Sequence, residues 1–126
     1  MPSPVAFNPE MTIAIHVKDM NTSIEWYTKT LGFQLLYKVD EIGWCELASN
    51  VPGAQIGLSQ VERAEASRSC VPTFAVKDID AARKALESRG VRFDGDTLTL
   101  EGMVRLATFF DPDGNAFMFS QSLMNH

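Results

Sequence analysis

The sequence predicts an α+β domain built from two copies of a βαβββ unit. Val17-Lys18-Asp19 recurs as Val76-Lys77-Asp78, each time joining an apolar strand to a helical stretch. Each helical stretch stops at a glycine, Gly32 or Gly90. Each glycine is followed by further β-like segments. The repeat is not in perfect register: Val17 to Val76 is a shift of 59 residues, and Gly32 to Gly90 a shift of 58. One residue is gained or lost in or near a helix. A duplicated open sheet tends to pair with its copy, and the seam between copies is a natural pocket.

Residues 1–10 carry no basic region and no hydrophobic run. They are expected to form a short arm rather than a signal peptide. The first unit is expected over 11–61. Ile13, Ile15 and Val17 alternate with Thr12, Ala14 and His16, a strand with two different faces. Asp19 suits a helix N-cap, with Asn21 as the competing cap. Ile24, Tyr27 and Leu31 make the apolar stripe of the helix, with Trp26 beside it, and these aromatics are expected in the core or an interface. Gly32 accepts the left-handed conformation that ends a helix. Three strands follow. In the first, Phe33, Leu35 and Tyr37 alternate with Gln34, Leu36 and Lys38. The second covers 43–48. The third covers 55–60, after a turn at Asn50, Val51, Pro52 and Gly53.

Residues 62–70 are polar and read as a linker. The second unit is expected over 71–126. Phe74 and Val76 repeat the buried face of the first strand, and Thr73 and Ala75 the other. Asp78 is the cap. Ile79, Ala82 and Leu86 sort from Arg83, Lys84 and Glu87 onto an apolar and a charged side. Val91 to Phe93 reads as a short strand and 94–102 as a loop. Strands over 104–110 and 115–121 flank Asp111-Pro112-Asp113-Gly114, a tight hairpin turn.

The bulk numbers bound the function. Halves of about 60 residues are marginal alone but can share one core. The net charge is −5, with no cluster of Lys and Arg, which argues against a nucleic-acid or anionic-membrane partner. Apolar runs fall short of the roughly 20 residues that span a bilayer. Cys45 and Cys70 are the only cysteines, too few for a disulfide framework, and are expected as free thiols in a reducing cytoplasm. A phosphate-binding glycine loop, a Cys-x-x-Cys pair and a Ser-centred nucleophile elbow are absent.

The paired units resemble a known family. The residues that carry the likeness are the strand before Val17-Lys18-Asp19, the helix with Ile24-Glu25-Trp26-Tyr27, Leu31-Gly32-Phe33, and Phe110-Asp111-Pro112-Asp113-Gly114-Asn115 before the last strand. Over about 11–122 the chain resembles the vicinal oxygen chelate superfamily, which includes glyoxalase I, bleomycin-resistance proteins, fosfomycin-resistance enzymes and extradiol dioxygenases. The resemblance implies curved sheets around a cup, a homodimer, and a divalent metal in the cup that polarises substrate oxygens. Aligned through Val17 and Val76, the four implied ligand positions fall on Thr12, Gly57, Val71 and Met118. None suits a hard or borderline oxygen–nitrogen site. No metal or other cofactor is therefore expected.

The face with Thr12 and Ala14 becomes the cup face, and His16 shares it. His16 is either a ligand-contacting or acid–base group, or a structural histidine at a strand end. Trp44 and Glu46 share a face; an apolar Trp beside a Glu suits a pocket, where Glu46 could pair with His16 or bind a cation. Gln55 and Ser59 should flank Gly57, and Thr73 and Met118 should project into the cup. Arg105 is either an anion clamp or an exposed arginine. Cys45 lacks a visible base partner for nucleophilic work. The leading expectation is a metal-independent protein that binds a small organic molecule, by sequestration of a drug or metabolite. The alternative is a lyase or isomerase for an α-oxo or related substrate, using His16 and Glu46. A third class is a purely interaction-driven regulatory domain.

Overall fold

The computed structural model describes residues 4, 6–66 and 70–124. Part of the expected arm, part of the expected linker and His126 lie outside the described residues. The element order is β1 (Met11–Val17), α1 (Met20–Thr30), β2 (Gln34–Val39), β3 (Trp44–Ala48) and β4 (Ala54–Gln60), then β5 (Thr73–Ala75), α2 (Ile79–Glu87), β6 (Leu98–Leu100), β7 (Val104–Phe110) and β8 (Ala116–Ser122). Two four-stranded sheets result, in the orders β1-β4-β3-β2 and β5-β8-β7-β6. Within each, the first strand runs parallel to the fourth and the remaining pairs are antiparallel. The fold is the expected α+β pair of βαβββ units.

The same local devices build both units. Asp19 and Asp78 cap the helices, their carboxylates accepting from the Thr22 and Ala81 amides. Such a cap contributes about 1 kcal/mol. A second device was not visible in the sequence. The Gln60 side-chain oxygen accepts from the Met20 amide at 2.7 Å, and Gln121 does the same for Ile79 at 2.7 Å. The last strand of each unit thus holds the first turn of that unit's helix, where amides have no helical partner. Gly32 sits at φ 73° just past α1. It lets the Phe33 amide turn back to the Tyr27 carbonyl at 3.1 Å.

Two expectations fail in the second half of each unit. Val91 to Phe93 does not form a strand; Phe93 makes one isolated bridge to Phe109. The edge strand lies instead at Leu98–Leu100, inside the expected loop. Its three residues pair with Val104–Leu106, and a turn at 101–103 sets that register. In β2, strict alternation is broken by a register shift between Leu35 and Tyr37. Leu35 lies opposite Leu47, whereas Tyr37 lies opposite Glu46. The extra residue turns Tyr37 to the face away from Leu35.

One core serves both units. Ile15, Val17, Tyr27, Cys45, Leu47, Ile56 and Leu58 from the first join Leu86, Val91, Phe109 and Phe117 from the second. Tyr27 packs edge-on against Phe117 at 5.9 Å between centroids, and Phe33 against Phe74 at 6.0 Å. A fully buried side chain such as Phe117 contributes about 1.5–3 kcal/mol. An apolar cavity of about 350 Å³ opens at this helix-side seam, with Leu31, Phe33, Phe74 and Phe119 among its walls.

The Asp111-Pro112-Asp113-Gly114-Asn115 turn locks the units together. Asp111 Oδ1 accepts from the Asp113 and Asn115 amides, at 2.9 and 2.7 Å. Asp111 Oδ2 accepts from the Tyr27 hydroxyl at 2.7 Å and the Asn115 side chain at 2.9 Å. The Asn115 side-chain nitrogen also reaches the His16 carbonyl at 3.1 Å, and Asp113 accepts from the Lys18 amide at 3.2 Å. Burial pushes the Asp111 carboxyl above its ordinary 3.8, and its hydrogen bonds pull back. Burial and the Asp111 charge push the Tyr27 phenol well above 10.0. The turn motif therefore acts structurally, as a joint between α1, β1 and β8.

Candidate functional site

The site is built on the face of the first sheet that points away from the helices. Register places its side chains in rows: Thr12 beside Gln55 and Ala48, Ala14 beside Gly57, Glu46 and Tyr37, and His16 beside Ser59, Trp44 and Val39. Ile13, Ile15 and Val17 occupy the other face and pack into the core. Trp44 and Glu46, whose facing the sequence left open, lie with Thr12, Gln55 and Gly57.

Four of these residues form a bonded cluster. The Glu46 carboxylate accepts from the Tyr37 hydroxyl at 2.9 Å on Oε1 and from the Thr12 hydroxyl at 3.1 Å on Oε2. The Trp44 indole donates to the Tyr37 oxygen at 3.3 Å. Tyr37 thus donates to the carboxylate while accepting from the indole, a chain in which each bond polarises the next. Beside it lies an open depression of about 460 Å³, with Met11, Thr12, Leu36, Tyr37, Glu46 and Gln55 in its wall. All its lining residues come from the first unit and the segment just before it.

Gly57 is the floor of this cluster. A Cβ built on it would collide with the six-membered ring of Trp44. The indole therefore occupies the volume that any larger residue at position 57 would need. Gly57 is buried although it lies on the outer face of the sheet, because Trp44 covers it.

The other candidates are placed less centrally. His16 is exposed on the same face, next to Ser59 and toward Cys70 and Glu65. No hydrogen bond joins its imidazole to Glu46, whose two oxygens are engaged by Thr12 and Tyr37. Thr73 and Met118 lie opposite one another on the equivalent face of the second sheet. Arg105 lies on the helix side: it is opposite Gln121, which reaches α2, and its guanidinium grips both Asp80 oxygens at 2.9 and 3.0 Å. That pair holds the Asp80 carboxyl below its ordinary 3.8. Arg105 is thus committed to α2 and is not brought to the cluster. Cys45 is buried in the core, and burial pushes its thiol up, away from the thiolate a nucleophile needs.

Sequence reasoning missed Tyr37, because the bulge in β2 hides its facing. It also missed the aliphatic character of the second sheet's outer face. There Leu98, Leu106, Ser120 and Ala75 form one row, and Leu100, Val104 and Ser122 the next. Leu98 and Leu100 are 55% and 41% exposed. Among the described residues, no backbone pairing joins this sheet to the first.

The residues at the four implied metal positions do not fit a divalent ion. Gly57 has no donor atom, and Trp44 covers it. The Thr12 hydroxyl is turned to Glu46. Val71 offers no side-chain donor, and Met118 only a soft thioether. Among the described residues, no three His, Cys, Asp or Glu side chains gather at one point.

The chain matches the family model described as Glyoxalase/Bleomycin resistance protein/Dioxygenase superfamily over residues 11–119. None of the curated proteins compared matches it. Among solved structures, it is similar to TnmS3, an antibiotic binding protein from Streptomyces sp. CB03234. The identity is 26% and the TM-score 0.76, with 94% of this chain and 98% of that chain covered. It is similar to an integron cassette protein from the mobile metagenome of the Halifax Harbour sewage outfall, at 27% identity and TM-score 0.77, with 89% and 97% covered. A superfamily member from Sphaerobacter thermophilus shares the fold at 24% identity and TM-score 0.80, with 94% and 98% covered.

Proposed function

The chain belongs to the Glyoxalase/Bleomycin resistance protein/Dioxygenase superfamily, and within it we propose a protein that binds a small organic molecule on the outer face of the first sheet, without a metal. The observation that carries this reading is the Thr12–Glu46–Tyr37–Trp44 cluster over Gly57. It is a fixed set of polar groups on an aromatic floor beside an open depression, the composition of a ligand site. Gln55, Ser59 and His16 extend the hydrogen-bonding edge. Sequestration, not turnover, is the better match. Similarity to TnmS3, described as an antibiotic binding protein, supports that choice. The alternative of a lyase or isomerase needs His16 and Glu46 to act together, and no hydrogen bond joins them.

The cup is completed by a second copy of the chain. In one chain the helix-side faces of both sheets share the core, while Thr12, Ala14 and His16 on one outer face and Thr73, Ala75, Leu98 and Leu100 on the other stay exposed. A homodimer that sets the first sheet of one copy against the second sheet of the other would enclose a ligand and cover the leucines. Met118 and Thr73 would then line the far wall. The unpaired thiols Cys45 and Cys70 suit a cytoplasmic site of action. None of the described helices is long and apolar enough to cross a membrane.

Light scattering, metal analysis and a ligand screen on the purified protein test the reading together. The expected result is a dimer without stoichiometric metal, in which Trp44 fluorescence and the melting temperature respond to an aromatic or drug-like compound. A ligand at 100 times its Kd would add about 2.7 kcal/mol of stability. Stoichiometric zinc, nickel or iron held by cup residues would sink it.

A further inference from the structure

The charge of the cluster narrows the ligand. We infer that the cup takes an organic cation, an amine carried on an apolar body, with its ammonium on Glu46 beside Tyr37. This rests on the reading of the outer face as the ligand site and names the class of molecule that fits it.

Glu46 is an uncompensated carboxylate. The Thr12 and Tyr37 hydroxyls that donate to it, one to each oxygen, are neutral. A carboxylate accommodates about four donors, so acceptor capacity remains. Among the described residues no lysine or arginine pairs with it. Lys38, on the neighbouring strand, faces the helix side, where it reaches Asn21 and Asp40. Arg105 is held by Asp80. The chain as a whole carries a net charge of −5. An anionic ligand would meet Glu46 with no cation bonded to that carboxylate among the described residues.

The surroundings suit an ammonium in particular. A phenol ring attracts a cation to its face, and Tyr37 lines the depression next to Glu46, with Trp44 behind it. Trp44 is held in place by its contact with Gly57 and its bond to Tyr37, and Tyr37 by its bond to Glu46. The two aromatics and the carboxylate are therefore fixed relative to one another before any ligand arrives. Leu36 and Met11 border the same depression, and an apolar body has somewhere to lie. In the proposed dimer, Leu98 and Leu106 from one facing row and Met118 from the next would cover it further. A purely structural role for Glu46, in steadying Tyr37, predicts no preference for charge.

Three probes of one shape separate these possibilities: 4-phenylbutylamine, 4-phenylbutan-1-ol and 4-phenylbutyrate, titrated calorimetrically into the full chain at low and high salt. The expected result is an amine that binds about 10-fold tighter than the alcohol, with the carboxylate weakest. Raising the salt should weaken the amine and leave the alcohol unchanged. Glu46→Gln should bring the amine down to the level of the alcohol. Should that variant fail to fold, Tyr37→Phe, which keeps the charge and removes one bond, should retain the preference for the amine. An alcohol that binds as tightly as the amine, or a preference that survives Glu46→Gln, overturns the inference and leaves the cup reading standing. No binding by any of the three at millimolar concentration overturns both.

Discussion

The outer faces of the two sheets invite comparison row by row. In the first sheet, His16, Ser59, Trp44 and Val39 stand side by side; in the second, the corresponding row is Ala75, Ser120, Leu106 and Leu98. Beside them, Ala14, Gly57 and Glu46 match Thr73, Met118 and Thr108. One face carries a bonded carboxylate and a held indole, the other aliphatic side chains. The backbone devices behave in the opposite way. The Asp caps and the Gln anchors on the helices recur in both units, with backbone amides at equivalent positions as partners and nearly the same lengths. Duplication kept what folds the unit and diverged in what faces the cup.

The two units share one core, and Asp111 is the joint at which that union breaks most sharply. Asp111→Ala removes the acceptor of the Tyr27 hydroxyl, the Asn115 side chain and two amides. A loss of about 3 kcal/mol is expected, since buried donors are left without partners. Denaturant unfolding followed by both far-ultraviolet dichroism and tryptophan fluorescence should show one coincident, shifted transition. Two separate transitions would mean that the units are independent domains.

Gly57 and Met118 occupy equivalent places, three residues before Gln60 and Gln121. Their alanine variants should nonetheless diverge. Gly57→Ala drives a methyl group into the Trp44 ring, which costs roughly 1–3 kcal/mol and shifts the tryptophan emission to the red as the indole lifts. Met118→Ala removes a half-buried side chain from an open face and should cost less than about 1 kcal/mol in the folded chain. Equal losses would undo the contrast between a filled and an open face. The smallest effects belong to the shared devices. Gln60→Ala and Gln121→Ala should each cost about 1 kcal/mol, and by the same amount as one another. Unequal melting shifts would show that one anchor matters more than its twin.

The fold was legible because its signals are local and occur twice. Asp19 and Asp78 as caps, Gly32 and the Asp111 turn each announce a chain reversal or a helix end through backbone chemistry alone. The edge strand at Leu98–Leu100 was not legible. Three residues are too few for alternation to stand out, and pairing with β7 is what makes them a strand. Val91 to Phe93 misled for the converse reason: Val91 is buried and Phe93 packs on Phe109, but the segment meets β7 in a single bridge and not in a continued ladder. In the candidate site, the facing of Thr12, His16, Gln55 and Gly57 followed from parity. Tyr37 did not, because one extra residue in β2 inverts parity beyond it. Arg105 could not be placed either: its partner Asp80 lies 25 residues away, and only the packing of α2 on the sheet brings the two together.

The indole over Gly57 also constrains the order in which this chain could change. The resemblance implies a metal-ligating side chain at position 57 in a metal-binding relative, and a single replacement of Gly57 would strike the Trp44 ring before any ion could be held. Trp44 must shrink first. That step opens a hole beneath Tyr37 and Glu46 and sacrifices the aromatic floor. The route to a metal site thus passes through an intermediate that has lost the present ligand surface and has not yet gained the new one. Random single substitutions screened for metal-dependent activity should miss it, while paired changes at positions 44 and 57 would be the place to look.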